Sequence, residues 1–128
     1  MLLRSLKGIY TINYDEDKRI VFEESIGHWR REDYEEYHKQ FVNLIGPAIG
    51  NQPWALVSDL RKYEMSDLDD IMIKHTEWLA LNNLQYAAAI VDSTYVKMQI
   101  NKAIFIKFPQ QIFSNEEEAM AWLKSKGF

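Results

Sequence analysis

The chain has 128 residues, near the commonest size of one domain, and a 47% hydrophobic fraction that includes four Trp, seven Tyr and six Phe. That length buries roughly 65 to 70% of the surface exposed when unfolded, so a single domain over 1–128 holds together without staple or metal. A net charge of −4 with no basic block longer than two residues (Lys18-Arg19, Arg30-Arg31, Arg61-Lys62) disfavours nucleic acid, and zero cysteines exclude disulfides, thiolate zinc sites and cysteine nucleophiles.

The stretch Met1 to Lys7 has no apolar core long enough for a secretion signal, and no run of eighteen apolar residues suggests a membrane span. The expectation is a soluble, cytoplasmic protein. Gly8 to Tyr14 is rich in β-branched and aromatic types. After the polar turn Asp15 to Lys18, Arg19 to Ser25 carries Ile20-Val21-Phe22. Two such runs across a short loop predict a β-hairpin.

From Arg31 the period changes. Tyr34, Tyr37, Phe41, Leu44 and Ile45 form one helical face, acidic residues crowd the first turn, and Gly46-Pro47 is expected to stop the helix. Trp54 to Val57, ending at Ser58-Asp59, has the length of a buried strand. Arg61 to Glu64 then reads as a polar loop. Ser66, three residues before Asp69, predicts a capped helix running to about Asn83, with Leu68, Ile71, Met72, Trp78 and Leu79 on one side.

Tyr86 to Val91 is a further short apolar run, taken as a strand on length and context, although its alanines alone would suit a helix. Asp92-Ser93-Thr94 can cap a third helix striped by Val96, Ile100, Ala103 and Ile104. Gln110 to Phe113 is a strand candidate. Ser114 followed by Glu117 is a capping box for a last helix packing Ala119, Trp122 and Leu123. The order is β-β-α-β-α-β-α-β-α: an α/β fold with a mixed, mostly parallel sheet opened by an antiparallel hairpin.

That order, closed by Glu118-Ala119-x-x-Trp122-Leu123, resembles the SpoIIAA-like branch of the STAS superfamily, whose Sec14-type relatives carry lipids. In regulatory STAS proteins a strand ends in Asp-Leu, and a loop leads to a helix that begins with a phosphorylatable Ser or Thr. Asp59-Leu60 and Ser66 are similar to that pattern. The loop here is shorter by about two residues, Ser66 follows Met65 rather than an acid, and no Gly follows closely.

Each candidate site residue has a plain structural reading beside the functional one. The resemblance implies a phosphosite at Ser66, but a helix cap alone explains its hydroxyl. Asp59 and Asp92, at expected carboxyl ends of parallel strands, could together hold Mg²⁺, yet Asp is also a common turn and cap residue. His75 lies on the apolar face of its helix, as a buried neutral imidazole with one backbone partner or as a pocket-lining group titrating near neutrality. His38 reads as boundary packing. Trp29 and Tyr63 are not explained by a core stripe and either mark a partner surface or cover one end of the sheet.

No Gly-rich phosphate loop, nucleophile elbow or metal-spaced histidine pair occurs, which lowers the odds of an enzyme. The leading expectation is a binding or regulatory module without a cofactor. It would present the loops around Asp59 to Ser66 and Asp92-Ser93-Thr94 to a protein or small ligand, and would form a homodimer. The alternatives are a carrier of a small apolar ligand, suggested by the aromatic and Met content, and a Mg²⁺-dependent enzyme using the two aspartates.

Overall fold

The computed structural model describes residues 1–64, 68–92 and 108–128. Among these, six strands form one mixed sheet in sequential order: β1 (Leu2–Arg4), β2 (Tyr10–Asp15), β3 (Ile20–His28), β4 (Trp54–Glu64), β5 (Leu84–Ile90) and β6 (Gln110–Phe113). β2 runs antiparallel to β1 and β3, while β3 to β6 run parallel. The expected hairpin is closed by Asp15, whose carboxylate accepts from the Asp17 and Lys18 amides at 3.1 and 3.2 Å. The three-residue β1 was not foreseen in the sequence.

Helices cover both faces. α1 (Arg31–Gln40), a π-helical turn (Phe41–Ile45), α2 (Gly46–Ile49) and α3 (Asp69–Leu81) lie on the face formed by Tyr10, Ile12, Tyr14, Val21, Trp54 and Leu56. Successive right-handed crossovers along a sheet that grows in one direction place their helices on one side, which accounts for this grouping. α4 (Glu116–Ser125) covers the other face, where Ala119 and Leu123 pack on Ile20, Ala55, Val57, Ala88 and Ile90. No helix among the described residues is long and apolar enough to cross a membrane.

Several local expectations are corrected. Gly46-Pro47 does not stop the first helix. The helix widens so that the Gly46 amide reaches back five residues to the Phe41 carbonyl, and Pro47 starts a new segment that ends at Gly50, where φ is 66°. The Arg61 to Glu64 stretch is strand rather than loop. β3 is long enough to pair with it through Ile26↔Lys62, Gly27↔Tyr63 and His28↔Glu64, beyond a bulge after Glu24↔Asp59. Asp59-Leu60 therefore lies inside β4, not at its end.

The last helix is capped by Asn115, whose side chain accepts from the Glu118 amide at 2.9 Å, rather than by Ser114. α3 begins at Asp69 with Leu68 in the cap position. The helix expected after Asp92, with Ser93 and Thr94, and the proposed cap Ser66 lie outside the described residues.

Gly46 has a packing reason of its own. A Cβ built there would sit 2.9 Å from Cζ2 of Trp78 and 3.1 Å from the Phe41 carbonyl oxygen. Gly46→Ala should therefore destabilise the fold by about 1 to 3 kcal/mol through overpacking, read as a lower urea midpoint with an unchanged slope.

Candidate functional site

The sheet register lays two rows of side chains under α1 and α3. One row runs Ile12, Glu23, Ser58, Ala89 and Ile112 across β2 to β6; the other runs Tyr14, Val21, Leu56, Ala87 and Gln110. Successive strand residues face opposite sides, so β3 directs Val21, Glu23 and Ser25 toward the helices. The middle of both rows is short or polar. Tyr34 and Tyr37 of α1, and Ile71, Met72, His75, Thr76 and Leu79 of α3, roof this floor. Trp29, Tyr63 and Phe108 complete the wall of a cavity of about 150 Å³.

The cavity lies where the inward side chains of the sheet are short. The two inward alanines, Ala87 and Ala89, are its direct cause.

Glu23 is the buried carboxyl in this space, 8% exposed. Ser58, its register partner, donates to Oε1 at 2.6 Å, and the Tyr37 hydroxyl donates to Oε2 through a short hydrogen bond. Burial pushes the Glu23 pKa up, while the Ser58 and Tyr37 hydrogen bonds oppose the shift. The Tyr37 phenol is itself held well above its usual value, by burial first and then by the adjacent carboxyl.

Beside them, Nδ1 of His75 lies 2.8 Å from Nδ1 of His38, so one ring donates and the other accepts. Burial, with a smaller contribution from His38, lowers the His75 pKa to about 3, and the imidazole is neutral at ordinary pH. His38 is thus a hydrogen-bonding partner rather than boundary packing, and it takes the place of the backbone partner expected for His75. Titration of His75 near neutrality is corrected by the same burial.

Among the described residues, buried polar atoms without a hydrogen-bond partner include three on the cavity lining: the Tyr63 hydroxyl, His75 Nε2 and Gln110 Oε1. Buried polar groups are nearly always satisfied, so three on residues lining one cavity mark it as a place where a ligand's polar atoms fit.

Of the residues singled out in the sequence, Trp29, Tyr63 and His75 converge on this cavity. Trp29 is not an exposed partner residue: it is 2% exposed, donates its Nε1 to the Ile26 carbonyl at 3.1 Å, and packs on Tyr34, Tyr37 and Tyr63. Asp59 and Asp92 do not line the cavity. Alternation along β4 turns Asp59 toward the α4 face, where Arg61 binds both its oxygens at 2.9 and 2.7 Å and holds its pKa down. Asp92 is exposed beyond β5 and acts on the same Arg61. Among the described residues no group of three acidic or histidine side chains could hold a metal ion.

Glu23 was missed in the sequence. The available signal was the pattern Val21-x-Glu23-x-Ser25, which puts a carboxylate on the core-facing side of a strand opposite Ile12.

No protein-family model matches the chain, and no curated protein matches it in sequence. In three dimensions it is similar to an uncharacterized protein of the DUF3478 family with a SpoIIAA-like fold from Shewanella loihica PV-4. The TM-score is 0.66 at 19% identity, over 88% of this chain and 90% of that one. The chain has a SpoIIAA-like fold, as its element order implied. At this identity the likeness concerns the fold alone.

The raised pKa of Glu23 makes a pH prediction whose sign is opposite to that of a paired carboxylate. Unfolded, Glu23 loses its proton near 4.5, while folded it holds the proton to higher pH. Its contribution is therefore fully present below 4.5 and is lost as pH rises through the folded value. Glu23→Gln should remove that loss, so wild type minus variant stability should fall as pH is raised from 4.5. Urea unfolding of both proteins across pH 4 to 8 checks this, and a flat difference would contradict a buried, proton-holding Glu23.

Proposed function

We propose that this protein is a small-ligand-binding module, holding one mainly apolar molecule of about the size of a substituted benzene between its sheet and the helix pair α1/α3. The observation that carries the reading is the aromatic-walled cavity of about 150 Å³, around which Tyr63, His75 and Gln110 leave buried polar atoms unpartnered. An engineered apolar cavity of about this volume accepts benzene, which sets the size of ligand. The composition of the wall, mostly hydrophobic and aromatic with a few convergent polar groups, is that of ligand sites in general.

On this reading the chain works as a soluble binder or carrier without chemical turnover. A regulatory role, in which a protein partner or a second copy responds to occupancy, rests on the fold resemblance. Asp59 and Asp92 would belong to such a partner surface and not to the ligand.

Ligand binding to the folded state raises stability by RT ln(1 + [L]/Kd), about 2.7 kcal/mol at a hundredfold excess over Kd. Benzyl alcohol should therefore raise the melting temperature of the wild type in a concentration-dependent way. Ala87→Leu, which places a larger side chain in the void, should leave the fold at least as stable and abolish the shift. An unchanged shift in Ala87→Leu, or none in the wild type, would count against the cavity as the binding site.

A further inference from the structure

The charge of the cavity restricts what it can hold. Among the described residues its lining contains one carboxyl, Glu23, and no Lys or Arg; the one imidazole among them, His75, is neutral because burial lowers its pKa to about 3. Glu23 takes part in no ion pair among the described residues: the cations Lys7, Arg31 and Arg61 are engaged with Glu32 and Asp33, with Asp70 and with Asp59. The carboxyl is instead held by two neutral donors, one on each oxygen. Each carboxylate oxygen can accept twice, so acceptor capacity remains on both. Gln110 Oε1 adds a further acceptor without a donor.

The walls match this polarity. Trp29 sits with Tyr34, Tyr37 and Tyr63 at ring-centroid distances of 4.9, 5.2 and 5.8 Å, which concentrates four π systems beside one carboxyl. Aromatic faces attract cations through the ring quadrupole, and the attraction grows when water is excluded. Burial favours the protonated form of Glu23 in the free protein; an arriving cation with good hydrogen-bond geometry favours the ionised form, whose proton leaves to solvent, and an arriving anion gives no such gain.

We propose that the cavity takes a small organic cation, a ring-sized primary amine whose ammonium group is neutralised by Glu23 and whose apolar body lies against Trp29, Tyr34, Tyr37 and Tyr63. This specifies the ligand class of the site proposed above and rests on that reading. Carboxylates and phosphates of the same size meet no counter-charge among the described lining residues.

Calorimetric titration at pH 7 with benzylamine, benzyl alcohol and benzoate separates the two claims. Benzylamine should bind the wild type about tenfold or more tightly than benzyl alcohol, with benzoate weaker than both. In Glu23→Gln the advantage of benzylamine should vanish while benzyl alcohol binding persists. Benzyl alcohol binding as tightly as benzylamine to the wild type, or benzylamine keeping its advantage in Glu23→Gln, overturns the cation assignment and leaves the cavity reading standing. Binding of none of the three overturns both. Should Glu23→Gln fail to fold, the wild-type ranking decides alone.

Discussion

The packing of α1 on the sheet depends on how one buried carboxyl is satisfied. Glu23 stands in the middle strands of the sheet, where an ionised group is unfavourable unless its oxygens are hydrogen-bonded. Ser58 on the neighbouring strand and Tyr37 on α1 supply one donor each, so the carboxyl ties β3, β4 and α1 at a single point. Such a network is worth more in low dielectric than in water, and equally exposes the fold to loss of any one member. The aromatic cluster around Trp29 extends the tie, since its rings span the β3–α1 connection, α1 and the extended end of β4.

The two faces of the sheet show what the alanines of β5 do. On the α4 face Ala88 and Ala119 belong to one buried cluster with Ile20, Ala55, Val57, Ile90 and Leu123. On the opposite face Ala87 and Ala89 point at α1 and α3, whose inward residues are Tyr34, Tyr37, His75 and Leu79. One strand therefore packs under α4 with one side and lines the cavity with the other, by a period of two in the same short run.

How much of this was legible in the sequence follows from the same periodicity. The hairpin, the parallel neighbours β4 and β5, and the helices α1, α3 and α4 each carry a strong local pattern, and each is present. Trp29, Tyr63 and His75 stood out because no core stripe or metal spacing absorbed them, and they do meet in space. Glu23 did not stand out because Glu23-Glu24 looks like the polar end of an apolar run. Only the pairing register shows that the first faces the core and the second does not, and a shift by one residue exchanges them.

Asp59 was misplaced for a related reason. Its strand continues to Glu64 because β3 offers a partner that far, a tertiary fact with no local signature, and Arg61 then occupies its carboxylate from two residues away. Trp78 packs on Gly46, which closes the π-helical turn, and that contact between distant segments likewise has no local signature.

The departures from plain packing are not scattered. The widened turn at Phe41, the face-to-edge histidine pair, the uncompensated carboxyl and the void all lie between α1, α3 and the sheet, and Phe41 touches the His75 ring at 4.8 Å. On the α4 face the described residues of the same strands form an apolar cluster of Ile20, Ala55, Val57, Ala88, Ile90, Ala119 and Leu123. A sequence under selection for stability alone would exchange Ala87 for a larger side chain and Glu23 for an apolar one, since each change removes a local cost. Features of separate kinds gathered between α1, α3 and the sheet are what the proposed binding role would impose on the fold.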